Sequence, residues 1–243
     1  MTGASYGVGA ATALALARAG YDVAITATRI EHLASTVPAL QACGGRVLPL
    51  ALDLRSESDM ARVSQEAFAA LGGIDVLVNN AGANLRKLAA EVTAGEWDAV
   101  MSVNIRGTFF LTQAVGRALI AARRGGAIVN IASTHALAGA PERSTYGISK
   151  AALLGMTRML AVEWAEHGIR VNAVAPGRLA TPSPSRAEKG ADREYMDAML
   201  ERIPLHRLAT VEEVAAAVVY LASPAAASIT GQVLVLDGGL TAA

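Results

Sequence analysis

Three residues have the types and spacing to move a proton. Tyr146 and Lys150 stand four apart where a helical run begins (YGISK, 146–150), and Ser133 closes the β-branched run GAIVNIAS (126–133). Residues four apart on a helix share one face, so the phenol and the amine can meet. An unperturbed tyrosine has a pKa of about 10, and both an adjacent ammonium and a positive helix end favour its phenolate. Tyr146 is thereby expected to act as a proton donor and acceptor. The Ser133 hydroxyl, at a strand tip, can hold a substrate oxygen while charge develops on it. Taken singly, Tyr146 and Lys150 read as a surface pair and Ser133 as a strand-end cap. His135, two residues beyond Ser133, reads either as a wall of the substrate mouth or as a satisfied loop histidine.

A second cluster opens the chain. In TGASYGVG (2–9), Gly3, Gly7 and Gly9 lead into the apolar helical run ATALALARAG. Glycine allows positive φ and close backbone approach, and the helix behind supplies unpaired N–H groups and partial positive charge, the requirements of a pyrophosphate. The spacing is TGxxxGxG and not GxGxxG, and by itself it also fits a tight strand-to-helix turn. Such a turn normally follows a strand, and only Met1 stands before it.

The elements that must position these residues follow from periodicity. Runs at 22–27, 46–53, 74–79, 126–133, 169–175 and 232–237 are apolar almost throughout and rich in β-branched residues, which predicts strands covered on both faces. The segments 8–19, 30–42, 57–71, 104–123, 146–166 and 210–222 read as helices. This alternation predicts an α/β fold, a doubly wound parallel (Rossmann-like) sheet forming a single domain over residues 1–243. One stretch breaks the rhythm: residues 178–204, polar and proline-containing at the start, lie just after a strand end and are expected to form a substrate lid. Within it Met196, Met199 and Leu200 mark an apolar helix face that would cover a substrate or pack on the core.

Composition narrows the partners. Lysines and arginines number 21, as do aspartates and glutamates, and with no basic run this argues against nucleic acid or an anionic membrane and for a small molecule or another protein. The longest apolar stretch, VAAAVVYLA (214–222), is too short to span a bilayer, and no secretory signal opens the chain. The lone Cys43 suits a reducing cytoplasm. His32, His167 and His206 show no ligand spacing, so no metal is expected. Trp97 and Trp164 lie in helical segments and read as packing residues.

Taken together, these motifs make the sequence resemble the short-chain dehydrogenase/reductase family over essentially its whole length. The resemblance rests on TGASYGVG (2–9), DL (53–54), NNAG (79–82), VNIRGTF (103–109), NIAS (130–133), YGISK (146–150), RVNAVAPG (170–177) and GQVLVLDGG (231–239). It implies a nicotinamide dinucleotide cofactor held by Gly3, Ser5, Tyr6, Gly7, Val8 and Gly9. Further cofactor contacts are implied for Asp53 and Leu54 at the adenine end, for Asn80, Ala81 and Gly82 after a strand braced by Asn79, and for Pro176, Gly177 and Thr181 at the nicotinamide. It also implies a catalytic set of Asn104, Ser133, Tyr146 and Lys150, in which Tyr146 and Lys150 also touch the cofactor and a water links Asn104 to the lysine. Ser133, His135 and Tyr146 would contact substrate. The reaction implied is hydride transfer between a carbonyl and a secondary alcohol, with Tyr146 moving the proton.

An acidic residue at the end of the second run would accept hydrogen bonds from a ribose 2′-hydroxyl and repel a 2′-phosphate. In ITATRIEHL (25–33) Ala27 stands there, followed by Thr28 and Arg29. This favours NADP(H), with NAD as the alternative. Against it, Tyr6 stands where NADP-using relatives often carry a basic residue, and Arg29 also reads as a solvated charge. LAVEWAEHGIRVNAVAPG and the closing DGGLTA resemble gluconate-type sugar-acid dehydrogenases somewhat more than 3-oxoacyl-carrier-protein reductases. A scaffold or nucleotide sensor derived from the same fold should have lost part of the Ser-Tyr-Lys set, and none is lost. The resemblance also implies a homotetramer built on the helices at 104–123 and 146–166.

The family's glycine-rich turn follows a central strand of about six residues. Without it the fold would lose roughly ten backbone hydrogen bonds at about 1 kcal/mol net each, comparable to a typical domain's stability of roughly 5–15 kcal/mol. Two inner strands would also be left with open edges. The sequence is therefore expected to start late, with a strand valine codon read as the start.

Overall fold

The computed structural model describes residues 1–179 and 193–243. Parallel strands β1 (Val23–Ala27), β2 (Val47–Ala51), β3 (Val76–Asn79), β4 (Gly126–Ile131), β5 (Ile169–Pro176) and β6 (Val233–Leu236) pair in two groups, β1-β2 and β3-β4-β5-β6. Each strand coincides with a run anticipated from sequence, β5 extending one residue beyond its run to Pro176. Residues 1–4 lie between the groups and bond to both. Met1 N donates to Ala24 O, Thr26 N to Met1 O and Ala4 N to Thr26 O on the β1 side, while Thr2 N donates to Val78 O on the β3 side.

Alternate residues of each inner strand face opposite layers. Val78, Val129 and Val174 pack with α1 (Gly7–Arg18) and α8 (Val211–Ala222), whereas Leu77, Ile128 and Val171 pack with α3 (Glu57–Leu71), α5 (Thr108–Ala121) and α6 (Ser144–Glu163). Both faces are therefore covered, which explains why the runs do not alternate in polarity. Trp164 is buried in the second layer and rests on α5 where Gly116 leaves room: a Cβ at Gly116 would lie 2.6 Å from the indole. Arg170, on β5, donates to the carbonyls of Leu221, Ala222 and Ser223 and so satisfies the C-terminal end of α8.

Three helical boundaries differ from expectation. The segment 30–42 is not one helix but a 3-10 turn (Ile30–Leu33) and a short α2 (Val37–Gln41) with Pro38 in its first turn. Proline lacks an N–H and clashes with the preceding turn, so a helix can begin at Pro38 but not pass through it. The helix expected from 104 is preceded by α4 (Ala94–Met101), and the two are joined by a π-helical turn, Ser102–Gly107. Thr93 and Glu96 close a capping box that starts α4. The helix expected over 146–166 begins at Ser144 and ends at Glu163, before a 3-10 turn that closes on Gly168 at φ 70°. Of the expected lid, Leu179 bridges to Ala209 and α7 spans Arg193–Glu201, with Met199 and Leu200 half-buried. Thr181 lies outside the described residues.

Candidate active site

The C-terminal ends of β1, β3, β4 and β5 and the turn at 3–9 gather on one edge of the sheet, where ligands of open α/β folds bind. The glycine turn has the shape of a phosphate cradle. Gly3 and Gly7 have φ of 64° and 58°. A Cβ on Gly9 would stand 2.0 Å from the Gly3 carbonyl oxygen, while one on Gly7 would meet nothing within 4 Å. The Asn80 side chain clamps the turn by donating to the carbonyls of Thr2 (3.1 Å) and Gly3 (2.9 Å), and the Thr2 hydroxyl accepts from the Asn80 and Ala81 N–H groups. Tyr6, the N-cap of α1, makes no side-chain cap and is 62% exposed. The first-turn N–H groups of α1 are therefore offered outward, as an anion requires. A dinucleotide fits this cradle. Gly9→Ala is expected to raise the cofactor Kd by about tenfold or more, because carbonyl and methyl cannot share that space. Gly7→Ala should cost only the left-handed strain of about 1–2 kcal/mol. A fluorescence titration of both variants with the cofactor reads the difference.

Around the cradle, Thr28 and Arg29 are exposed beyond the end of β1, Leu54 is buried, and Pro176 ends β5 beside Gly177. Gly177 packs so closely on Asp237 that a Cβ would lie 2.9 Å from that residue's own Cβ. The Asp53 carboxylate, expected at the adenine end, is gripped by Arg55 Nε and Nη2 (2.9 and 2.7 Å), which holds it below the usual carboxylate range.

The proton-moving residues do come together. Lys150 Nζ lies 5.8 Å from the centre of the Tyr146 ring and donates to the Ile131 carbonyl at the tip of β4 (2.7 Å). Lys150 is 4% exposed, and burial pushes its pKa down to about 8. Ser133 follows two residues beyond Ile131. Its hydroxyl accepts from His135 N–H (3.2 Å) and lies near enough to Tyr146 to stabilise a phenolate. The expectation that Lys150 and the helix end bring the phenol below its ordinary value is corrected: in the protein alone burial dominates and raises it, opposed by Ser133 and then by the charge of Arg143. The His135 ring stands edge-on to Tyr146 with centroids 6.1 Å apart, and burial together with Arg143 lowers its pKa.

Asn104 is buried within the π-helical turn, a feature that recurs at functional sites. Its amide is bound locally. Oδ1 accepts from Ala83 N–H (2.7 Å), while Nδ2 donates to the Ala83 carbonyl and to the Ser149 hydroxyl (both 2.9 Å). Ser149 in turn donates to the Tyr146 carbonyl (2.7 Å). A Cβ at Gly82 would lie 3.2 Å from Asn104 Oδ1 and 3.6 Å from Lys150 Nζ, so the NNAG loop, Asn104 and Lys150 converge there. Ser149 and Arg143 escaped the sequence reading. Ser149 sits one position before the lysine and had a readable signal in YGISK, whereas Arg143 had none. Among the described residues no group of acidic, histidine or cysteine side chains has the arrangement of a metal site.

Sheet edge, phosphate cradle and buried Tyr-Lys pair define the class: a dinucleotide-dependent oxidoreductase. The chain belongs to the short-chain dehydrogenase/reductase family. The family model described as "Enoyl-(Acyl carrier protein) reductase" matches residues 3–241. The 2-dehydro-3-deoxy-D-gluconate 5-dehydrogenase of Escherichia coli (strain K12) is 38% identical over 239 residues, covering 98% of this chain and 93% of that protein. A crystal structure described as a short-chain alcohol dehydrogenase from Sinorhizobium meliloti 1021 superposes with a TM-score of 0.95 at 43% identity, covering 100% of this chain and 95% of that one. One described as a 2-deoxy-D-gluconate 3-dehydrogenase from Agrobacterium tumefaciens, with bound NADP, has a TM-score of 0.89 at 36% identity and covers 100% and 95%.

Proposed function

We propose that the protein interconverts a carbonyl and a secondary alcohol on a sugar acid, using NADP(H). The observation that carries the chemistry is the Tyr146 ring lying 5.8 Å from Lys150 Nζ, with Ser133 beside it, at the edge that bears the phosphate cradle. When bound, the nicotinamide supplies or takes up hydride and, oxidised, adds a positive ring charge. In the reducing direction Tyr146 gives its hydroxyl proton to the substrate oxygen, and in the oxidising direction it takes that proton back. Ser133 holds the same oxygen as its charge changes. Lys150, still charged at neutral pH with a pKa of about 8, stabilises the phenolate. Asn104, through Ser149, fixes the first turn of α6 on which Tyr146 rides.

The sugar-acid reading is supported by the likeness to the E. coli gluconate-derivative dehydrogenase. The NADP preference is supported by Ala27 at the end of β1, which puts no carboxylate there to repel a 2′-phosphate, by exposed Thr28 and Arg29 beside it, and by the NADP carried in the Agrobacterium structure. Cytoplasmic location and a homotetramer belong to the same reading; Met159 and Val162 expose apolar surface on α6, 67% and 82% accessible. Assays of NADP(H) and NAD(H) turnover over keto and hydroxy sugar acids, neutral ketones and oxoacyl thioesters test the reading. A higher kcat/KM with NADP(H) on the acids is expected. Faster turnover of oxoacyl thioesters, or preference for NAD(H), would overturn the substrate or the cofactor assignment respectively.

A further inference from the structure

The mouth of the site is framed by the loop after β3 (residues 80–87) and the loop between β4 and α6 (residues 132–143). Three contacts join them: Lys87 N–H donates to the Glu142 carbonyl (3.0 Å), Arg86 Nε pairs with the Glu142 carboxylate (2.5 Å), and Arg143 Nη1 donates to Asn84 Oδ1 (2.9 Å). Glu142 holds φ at 61°, a left-handed conformation that a residue with a side chain keeps only where its surroundings enforce it. The carboxylate next in sequence to Arg143 is thereby committed to Arg86.

Arg143, like Arg170, has no carboxylate partner among the described residues, but unlike Arg170 it stands beside the site. Arg46, Arg55, Arg106, Arg124 and Arg207 each pair with a carboxylate. Among the described residues Arg143 pairs with none; its partner is the neutral Asn84 amide. It is the N-cap residue of α6, one turn before Tyr146, and its carbonyl accepts from Gly147 N–H (2.7 Å). Asn84 stands two residues past Gly82, whose open side faces Asn104 and Lys150. The guanidinium therefore reaches from the helix that bears Tyr146 across to the loop beside Lys150, and its charge is felt at both His135 and Tyr146.

We propose that Arg143 is the carboxylate-binding residue of the substrate site. Its fork receives the acid group of a hydroxy or keto acid while Ser133 and Tyr146 hold the oxygen at the reacting carbon. The planar guanidinium offers five donors in a geometry that matches a carboxylate, and one is used by Asn84. This deepens the sugar-acid reading above and rests on it.

The test compares six-carbon aldonic and keto-aldonic acids with neutral polyols of the same length as substrates of the wild-type enzyme, Arg143→Gln and Arg143→Lys. The ratio of kcat/KM for acid to that for polyol is expected to fall about 10- to 100-fold in Arg143→Gln, mainly through KM, at unchanged Tm. Arg143→Lys should recover part of the ratio, because it restores charge without the fork. An unchanged ratio in Arg143→Gln, or equal losses on both substrates with a lowered Tm, would show a loop clasp and overturn the proposal while leaving the sugar-acid reading intact. Wild-type enzyme that favours no acid over its polyol would overturn that reading and this inference together.

Discussion

Tyr146→Phe is expected to lower kcat by about 10²–10⁴-fold, the range set by loss of a positioned proton donor, while the cofactor Kd stays within about twofold. The substitution removes one oxygen and keeps the ring that His135 meets edge-on. The cofactor cradle rests on Gly3, Gly7, Gly9 and the Asn80 clamp, none of which touches that oxygen. Stability should change little, because the lost hydroxyl sheds its burial cost together with its contact to Ser133. Steady-state kinetics and a cofactor titration on the same preparation check both halves. Near-normal turnover would remove Tyr146 from the reaction.

Lys150→Met should abolish turnover and at the same time raise the melting temperature near neutral pH. The ammonium is almost wholly buried, with its pKa moved from 10.5 to about 8, a difference of about 3 kcal/mol between charged and neutral forms. Because the folded state binds this proton less tightly than the unfolded chain, the cost is complete below pH 8. Stability is regained as pH rises from about 8 to 10.5. Removing the donor to the Ile131 carbonyl costs about 1 kcal/mol. A net gain of about 2 kcal/mol corresponds to roughly 4–8 °C for a chain of this size. Melting temperatures of the two proteins between pH 7 and 10.5 should therefore draw together as pH rises and cross toward the alkaline end, where only the lost hydrogen bond separates them. A variant that melts lower than wild type at pH 7 would show that the buried lysine stabilises the fold. The trade of stability for function is common at active sites.

The strands were legible because both sheet faces are buried, which leaves runs such as IDVLVN and GAIVNIAS apolar from end to end. Tyr146 and Lys150 were legible because their meeting needs only a helix. α4 was overlooked in AGEWDAVM, which is short and mixed in polarity, although Thr93 and Glu96 carried the capping signal. Pro38 likewise announced the break in the second helical segment. Two features lay beyond any reading along the chain. The pKa of Tyr146 depends on how much protein covers it, a tertiary property. Arg143 gains meaning only when residues 84–87 and 142–143 are brought together from opposite sides of the site.

The Asn79 and Asn130 side chains, adjacent in register on β3 and β4, form the centre of a buried polar chain. Asn79 Nδ2 donates to Asn130 Oδ1 and to Thr112 Oγ1 of α5 (both 2.8 Å), and Asn130 Nδ2 donates to Thr157 Oγ1 of α6 (2.9 Å). A slip of one residue between these strands would preserve most apolar burial, since valine, leucine and isoleucine are nearly interchangeable there. It would break the Asn79–Asn130 bond and leave buried amide groups without partners, at about 1–3 kcal/mol each, while the Thr112 and Thr157 hydroxyls keep the carbonyls of Thr108 and Leu153. The chain of four side chains thus acts as a lock on alignment: it rejects the near-native pairings that a uniformly greasy parallel sheet, slow to assemble from distant segments, would otherwise admit.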